Sequence, residues 1–265
     1  MNTAEKRAEM PSGTNTVLDR RTLEKDNANL LNVLKNGQAV LDVGCGSGSI
    51  TRGIVDHVGP EGYVMGIDLS DQLISVAQHN FSEIKNLQFD VADINSYSSD
   101  KKYDVITSAR VLQWVANPKE ILLKMKALLK PGGCIAILDY NHEKIEFAPE
   151  VPHIVRNFYY AFLQWRQDAS MDNAIADHLK GMLEDIGMQK VHLEDQSEVS
   201  ESGSKTFIDE ISIWKKVAET RGKQLVADGY LTEEERQFAV SEYQRWMDHE
   251  ARHMKLYLKA VTGYN

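Results

Sequence analysis

The chain has 265 residues, of which 42% are hydrophobic and 26% are charged, and its formal net charge is −9. This length accommodates one α/β domain with a large core, or such a domain with a small cap. The acidic balance disfavours a nucleic-acid partner, because no global basic field would attract phosphates. Residues 1–16 contain no apolar signal region, and no apolar run is long enough to span a bilayer. We therefore expect a cytoplasmic protein without a membrane partner.

The elements are read in chain order from hydrophobic spacing. Residues 1–20 are polar and are predicted to be mobile, and a helix should follow with Leu23, Leu30, Leu31 and Leu34 on one face, ending at Asn36-Gly37. Short apolar runs predict buried strands at 39–43, 63–67, 87–91, 103–107 and 134–138, and weaker patterns predict two more around 191–193 and at 256–261. Helical spacing predicts helices after Ser47, after a cap at Ser70, after Asn117-Pro118, at 173–187 and after the capping box Thr232-x-x-Glu235.

Strands that alternate with helices predict an α/β fold: a doubly wound, mostly parallel sheet with helices on both faces. Ligands of such sheets bind beyond the carboxyl ends of the strands. The alternation is interrupted at about 141–173 and 200–253, which we interpret as cap insertions in a domain spanning 21–265. The two cysteines, Cys45 and Cys134, fall in predicted core segments, and no metal-binding cluster is evident.

A glycine-rich turn follows the first predicted strand, in the segment Val40-Leu41-Asp42-Val43-Gly44-Cys45-Gly46-Ser47-Gly48. Glycines allow a backbone to approach a ligand closely. Asp68 ends the second predicted strand, where a carboxylate can accept from both ribose hydroxyls of a nucleoside. Ser49 stands where a dinucleotide fingerprint needs glycine, and no Lys-Ser/Thr pair follows, so the spacing argues against both a nicotinamide site and a phosphate-binding P-loop.

Five segments in register resemble the class I S-adenosylmethionine-dependent methyltransferases. They are VLDVGCGSG, GIDLS around Asp68, FDVADI around Asp93, YDVITSARVLQWV and LLKPGGCIAIL, and together they cover residues 21–140. The resemblance implies a Rossmann-like seven-stranded sheet with an antiparallel last strand, and S-adenosyl-L-methionine as the cofactor.

The resemblance also assigns cofactor positions. For the methionine part, Gly44, Cys45 and Gly46 would line the site, within a motif that includes Asp42 and Gly48, the Ala109 carbonyl would meet the ammonium, and Arg21 is a candidate for the carboxylate. Asp68 would hold the ribose and Leu69 the adenine. Asp93 would accept from the adenine amine, with Ile94 on the ring. Arg21 is the weaker of these candidates, and the favoured alternative for it is a solvated surface arginine.

The acceptor should lie where the N-terminal segment and both insertions converge over the cofactor, in a closed pocket for a small molecule. The insertions are rich in aromatic residues, most of which we interpret as the core of the cap. Tyr140 and His142 follow the fifth predicted strand and are candidate catalytic residues, with His142 as a possible base or as an ordinary surface histidine. We expect methyl transfer to an O or N atom. A non-catalytic regulatory protein that binds the cofactor, and a nicotinamide oxidoreductase, remain alternatives.

Overall fold

The computed structural model describes residues 3–8 and 20–265. The helices are α1 (Thr3–Ala8), α2 (Leu23–Asp26), α3 (Ser49–Val58), α4 (Asp71–Asn80), α5 (Pro118–Leu128), α6 (His153–Gln167), α7 (Ile175–Asp185), α8 (Phe207–Ile211), α9 (Ile213–Glu219), α10 (Arg221–Ala227) and α11 (Glu233–His249), with 3-10 turns at Ala28–Asn32 and Leu112–Trp114. The strands are β1 (Ala39–Val43), β2 (Tyr63–Asp68), β3 (Leu87–Val91), β4 (Tyr103–Ala109), β5 (Leu129–Ala148), β6 (Gln189–Asp195), β7 (Glu198–Glu201) and β8 (His253–Tyr264).

One sheet organises the molecule, in the order β3-β2-β1-β4-β5-β8-β6, with β7 paired to β8 outside this path. Strands β1 to β5 pair in parallel, whereas β8 runs antiparallel to β5, β6 and β7. The order reverses between β1 and β4, so the carboxyl ends of these two strands form the crevice in which such sheets bind ligands. The predicted doubly wound, mostly parallel sheet is confirmed.

The sheet separates two apolar clusters, and a third cluster belongs to the cap. On one face, Val40 packs with α3 and α4, and on the other, Leu41 packs with α5 and α7. This assignment of successive residues to opposite faces is the two-residue period of a strand. The third cluster joins α6 with the helices from α8 to α11 and with the outer part of β8. The predicted cap core is found there, since Phe158, Phe162 and Trp165 are all buried in it.

Two sequence interpretations around β5 need correction. The strand does not end at 138 but continues through Tyr140 and His142 to Ala148, so the segment predicted as an insertion from 141 begins as strand. The cause is its partner β8, which is longer than the predicted 256–261 and pairs with β5 from Tyr264 back to His253. The segment from 200 onward likewise begins within strand β7 before its helices start.

The predicted N-terminal helix is also wrong in detail. It divides into the single turn of α2 and the 3-10 turn Ala28–Asn32, because Asn27 leaves the helical region with φ −152°. The Asn27 amide instead reaches Thr107 of β4, at 3.4 Å. Upstream, α1 packs its buried Ala4 beside Trp114, and residues 9–19 of the segment predicted to be mobile lie outside the described residues. No helix within 3–8 and 20–265 is long and apolar enough to cross a membrane.

Candidate active site

The turn after β1 is held in a conformation that glycine favours. Gly44, Gly46 and Gly48 have φ values of 77°, 57° and 80°, all in the left-handed region. A Cβ at Gly44 would lie 2.3 Å from Cγ2 of Val111, a residue just beyond β4. The glycine therefore permits a close approach between the ends of β1 and β4, which narrows the crevice at the reversal of strand order.

Asp68 stands against this turn at the end of β2. Its Oδ2 accepts from the Gly46 amide and its Oδ1 from the Ser70 amide, both at 2.9 Å. A carboxylate has about four acceptor positions, so each oxygen can accept one more hydrogen bond. The same carboxylate that fixes the glycine turn can therefore receive both hydroxyls of a ribose.

The positions that follow β2 and β3 supply two apolar side chains. Leu69 is 63% exposed although it is a large apolar side chain, and Ile94, which follows β3, is buried. The Asp93 Oδ1 accepts from the Asn95 amide at 2.9 Å, which fixes the direction of its carboxylate and leaves the other oxygen without a bond to any described residue. An exposed leucine, a packed isoleucine and a fixed carboxylate suit a flat ring with an exocyclic amine.

Two residues of the glycine motif turn their side chains away from the turn. The Thr51 hydroxyl donates to Asp42 at 2.6 Å, linking β1 to α3, and burial raises the pKa of Asp42 to about 6. The Cys45 sulfur lies under the sheet, 2.9 Å from where a Cβ on Gly66 would stand. Burial also raises the pKa of the Cys45 thiol, which excludes an activated thiolate. Only the backbone of Cys45 faces the crevice side of the turn.

Arg110 directly follows Ala109, and its side chain links the end of β4 to three other parts of the chain. It has φ 61°, a left-handed conformation that is uncommon outside glycine. Its guanidinium donates to the Tyr140 hydroxyl at 2.9 Å, to the Asp26 carbonyl at 2.7 Å and to the carboxylate of Glu198 on β7. Burial lowers the pKa of Arg110, but Tyr140 and Glu198 outweigh burial and raise it overall. These bonds hold the end of β4 in its unusual conformation.

Arg21 belongs to the same charged cluster. Burial and the charge of Arg110 lower the pKa of Arg21, while Tyr140 and Glu198 oppose that effect. These opposing effects come from groups at the ends of β4 and β5 and on β7, and Arg21 is only partly exposed.

His142 lies in a hydrogen-bonded chain that fixes its tautomer. The Gln113 amide nitrogen donates to the Arg110 carbonyl at 3.1 Å, so the amide oxygen faces the His142 Nε2, at 2.6 Å. An oxygen acceptor requires the proton on Nε2 and leaves the Nδ1 lone pair to act as an acceptor. Burial, assisted by the charge of Arg166, lowers the pKa of His142 well below its usual value, so the imidazole is neutral at physiological pH.

Aromatic side chains from three elements enclose His142. Tyr140 stacks on its ring with centroids 5.3 Å apart, and Phe162 of α6 and Trp214 of α9 meet it edge to face at 5.9 and 6.1 Å. Tyr159 of α6 packs against Trp214 at 4.7 Å and donates to the His142 carbonyl. We call these five residues, Tyr140, His142, Tyr159, Phe162 and Trp214, the aromatic box.

Sequence reasoning missed three residues of this region: Arg110, Arg166 and Glu198. Arg110 and Arg166 are buried, and Arg166 lies among the aromatic residues of α6. An arginine within an apolar helical stripe was the available signal for Arg166. No local pattern marks Glu198, because its partner Arg110 is 88 residues away in sequence.

A family model described as a methyltransferase domain matches residues 34–227, which is most of the chain and includes every strand from β1 to β7. The chain belongs to the class I S-adenosylmethionine-dependent methyltransferases. Membership in this family supports S-adenosyl-L-methionine as the cofactor. It also argues against the alternative of a nicotinamide oxidoreductase.

Curated relatives match a little over a third of the chain. The chain is 37% identical over 102 residues to a malonyl-[acyl-carrier protein] O-methyltransferase of Halalkalibacterium halodurans, a match that covers 37% of each protein. It is 34% identical over 99 residues to a ubiquinone biosynthesis O-methyltransferase of Coxiella burnetii, covering 37% of this chain and 41% of the relative. The matches thus span under half the length of these relatives.

Solved structures share the fold over nearly the whole methyltransferase. Phosphoethanolamine N-methyltransferase 2 of Haemonchus contortus, in complex with S-adenosyl-L-methionine, aligns with a TM-score of 0.57 at 17% identity, covering 99% of this chain and 56% of that one. YcgJ of Bacillus subtilis aligns with a TM-score of 0.57 at 16% identity, covering 91% and 98%. At these identities the likeness establishes the fold alone.

Proposed function

We propose that this methyltransferase transfers the methyl group to an O or N atom of a small organic acceptor held in the aromatic box. The observation that supports this most strongly is the state of His142, which is neutral, has an oriented tautomer and is enclosed by side chains of α6 and α9. A neutral imidazole with an available Nδ1 suits an acceptor that loses a proton during the reaction. The enclosing helices suit a small molecule better than a polymer.

For the cofactor, we propose the positions that the family resemblance assigns. The backbone of Gly44, Cys45 and Gly46 would hold the methionine part, Asp68 the ribose, and Leu69, Asp93 and Ile94 the adenine. Ala109 and Arg21 would take the ammonium and the carboxylate. Gly48 would support the turn, since a Cβ there would lie 2.6 Å from the Phe89 ring, and Asp42 would act only through Thr51.

The bound cofactor supplies a methyl group on a positively charged sulfur, which is reactive toward an aligned nucleophile. The chain's own task is to orient the acceptor and exclude water. We propose that the His142 Nδ1 accepts the proton of the acceptor hydroxyl or amine. The Tyr140 hydroxyl accepts from Arg110 and can donate its own proton to the acceptor; burial raises the pKa of Tyr140, so it stays protonated.

We propose a domain organisation in which residues 21–265 form one methyltransferase unit. Helix α6 and the helices α8 to α11 would cap the carboxyl ends of β4 and β5, with residues 1–20 as a separate N-terminal segment. The acidic net charge supports a small-molecule partner and argues against binding of DNA or tRNA at physiological salt.

Turnover with methyl-labelled S-adenosyl-L-methionine against a panel of small phenols, acids and amines tests this proposal. We expect labelled product and an equal amount of S-adenosylhomocysteine with at least one acceptor class. Cofactor binding without transfer to any small acceptor would contradict it, and transfer only to protein or nucleic acid would contradict the small-molecule pocket.

A further inference from the structure

Arg166 is a buried cation without an anionic hydrogen-bond partner. Its side chain has no solvent exposure, yet its Nε donates to the Asn173 amide oxygen and its Nη2 to the Gln113 carbonyl, both at 2.8 Å and both neutral. Its Nη1 bonds to none of the described residues. Among the ion pairs of residues 3–8 and 20–265, none includes Arg166.

The surroundings of Arg166 offset its charge only in part, because burial outweighs the opposing charges nearby. Its Cζ lies 4.7 Å from the Trp114 ring and 5.5 Å from the Phe162 ring. The buried carboxylate of Asp139 makes the largest opposing contribution to the pKa of Arg166, but its oxygens accept from the amides of Gln113 and Tyr140 and not from the guanidinium. Burial lowers the pKa of Arg166 to about 10, so the guanidinium is charged at neutral pH.

A second unpartnered donor borders the same ring. The indole Nε1 of Trp214 is buried and has no hydrogen-bond partner among the described residues, and its ring meets Phe162 with centroids 5.6 Å apart. Phe162 thus touches both unpartnered groups. Both are donors, so the ligand that would satisfy them must present acceptors. Buried unpaired donors and charges are costly, and a ligand that supplies acceptors would remove that cost.

Resting on the proposed function, we propose that the methyl acceptor is a planar aromatic molecule that carries an oxyanion, bound by Nη1 of Arg166 and Nε1 of Trp214. The aromatic box would hold the ring edge to face and stacked. The oxyanion would supply a negative charge as a direct partner for Arg166. His142, which is linked to Arg166 through Gln113, would face the group that is methylated. Because neither donor atom contacts solvent, the acceptor would reach them when α6 and α9 move apart, as caps do.

A purely structural role explains only part of these contacts. As a brace between α6, Gln113 and Asn173, Arg166 would use Nε and Nη2, and a shorter or neutral side chain could do the same. Neither the free Nη1 nor the free indole Nε1 of Trp214 follows from bracing. Their common chemistry, two donors and one positive charge, selects an oxyanion.

Calorimetry in the presence of saturating S-adenosylhomocysteine tests the proposal with three probes: 4-hydroxybenzoate, its uncharged methyl ester and phenyl phosphate. We expect the wild type to bind 4-hydroxybenzoate about 10- to 100-fold more tightly than the ester, the range for hydrogen bonds to a charged group. Preference for phenyl phosphate over 4-hydroxybenzoate would identify the oxyanion as a phosphate, and the reverse would identify a carboxylate.

Variants separate this inference from general damage. Arg166→Gln should bind 4-hydroxybenzoate and its ester equally. Trp214→Phe keeps an aromatic ring and should lower the affinity for 4-hydroxybenzoate by several-fold. Arg156→Gln, on the exposed side of α6, should match the wild type. If Arg166→Gln fails to fold, Arg166→Lys retains the charge and should keep part of the preference. Equal binding of acid and ester by the wild type, or no binding of any probe, would overturn the inference. Methylation of uncharged acceptors without preference for anions would overturn it while leaving the proposed function intact.

Discussion

The two halves of the crevice are built in different ways. The half at β1 to β3 relies on backbone conformation and short-range bonds: the positive φ values of the glycine turn and a carboxylate, Asp68, that accepts from two nearby amides. The half at β4 and β5 relies on side chains that arrive from distant segments, such as Glu198 on Arg110 and Trp214 on His142. The half at β1 to β3, which we call the cofactor half, can serve one invariant cofactor. The half at β4 and β5, which we call the acceptor half, can be rebuilt for different acceptors without disturbing the cofactor half.

The largest expected effect comes from the acceptor half. His142→Gln can still donate to Gln113 but has no basic nitrogen, so kcat should fall by about 10²- to 10⁴-fold, the range for general-base catalysis. The affinity for S-adenosylhomocysteine should not change. Because the pKa of His142 is lowered well below its usual value, wild-type kcat should also show no loss from protonation of His142 between pH 6.5 and 8. His178→Gln, at an exposed histidine paired with Asp172, is the matched control.

An unchanged kcat in His142→Gln would show that the acceptor is already deprotonated when it binds. A parallel loss of cofactor affinity would show that the two halves are coupled rather than independent.

The second prediction concerns Asp42, which lies beneath the glycine turn of the cofactor half. Burial raises the pKa of Asp42 from 3.8 to about 6 in the folded chain. A raised folded pKa stabilises the fold below the unfolded pKa, and that contribution is lost as pH rises through about 6. Asp42→Asn keeps an acceptor for Thr51 but cannot ionise, so it should unfold with a free energy close to the wild type at pH 4 and up to about 3 kcal/mol higher at pH 8.

Urea denaturation at both pH values measures this difference. Since the Asp42 carboxylate bonds to Thr51 beneath the turn, the affinity for S-adenosylhomocysteine should stay at the wild-type value. Equal stability of the two proteins at pH 8 would contradict the raised pKa of Asp42. Weaker cofactor binding by Asp42→Asn would show that Asp42 contributes to the cofactor site.

The contrast between the halves also explains what the sequence could predict. The first four strands and the glycine turn were identified within a few residues, because their signals are local: apolar runs, glycine spacing and a carboxylate at a strand end. The length of β5 depends on its pairing with β8, and the break at Asn27 depends on Thr107, so neither appears in local spacing. The partners of Arg110 and Arg166 are likewise set by packing of the cap, which no pattern within one segment encodes.

The third prediction tests the cofactor half directly. Asp68→Ala removes the acceptor proposed for the ribose and also releases the Gly46 amide, so the affinity for S-adenosylhomocysteine should fall by about 10- to 100-fold. Asp71→Ala, at an exposed carboxylate in the first turn of α4, controls for the loss of one negative charge. Calorimetry gives the affinities, and thermal unfolding shows whether the turn itself has been destabilised. An Asp68→Ala protein that binds as well as Asp71→Ala would remove Asp68 from the ribose site.

The smallest expected effect lies where the two halves meet. Arg110 directly follows Ala109, whose carbonyl we place at the methionine ammonium, and Arg110 is held at φ 61° by Tyr140, Asp26 and Glu198. Glu198→Gln keeps the shape of the side chain but removes its charge. Because the Glu198 side chain is 38% exposed, solvent screens the ion pair. We therefore expect Glu198→Gln to lower the cofactor affinity by only about 3- to 10-fold.

A positioning role for Glu198 can be distinguished from a general contribution to stability. Glu201→Gln changes the same residue type on the same strand, where the carboxylate pairs with the outlying His253, and it should leave the affinity for S-adenosylhomocysteine unchanged. In Glu198→Gln, the KM for S-adenosyl-L-methionine should rise more than kcat falls, because the backbone that meets the ammonium loses its support before the acceptor does. If both variants behave alike, Arg110 is held well enough by Tyr140 and Asp26, and the acceptor half does not control the geometry of the cofactor half through β7.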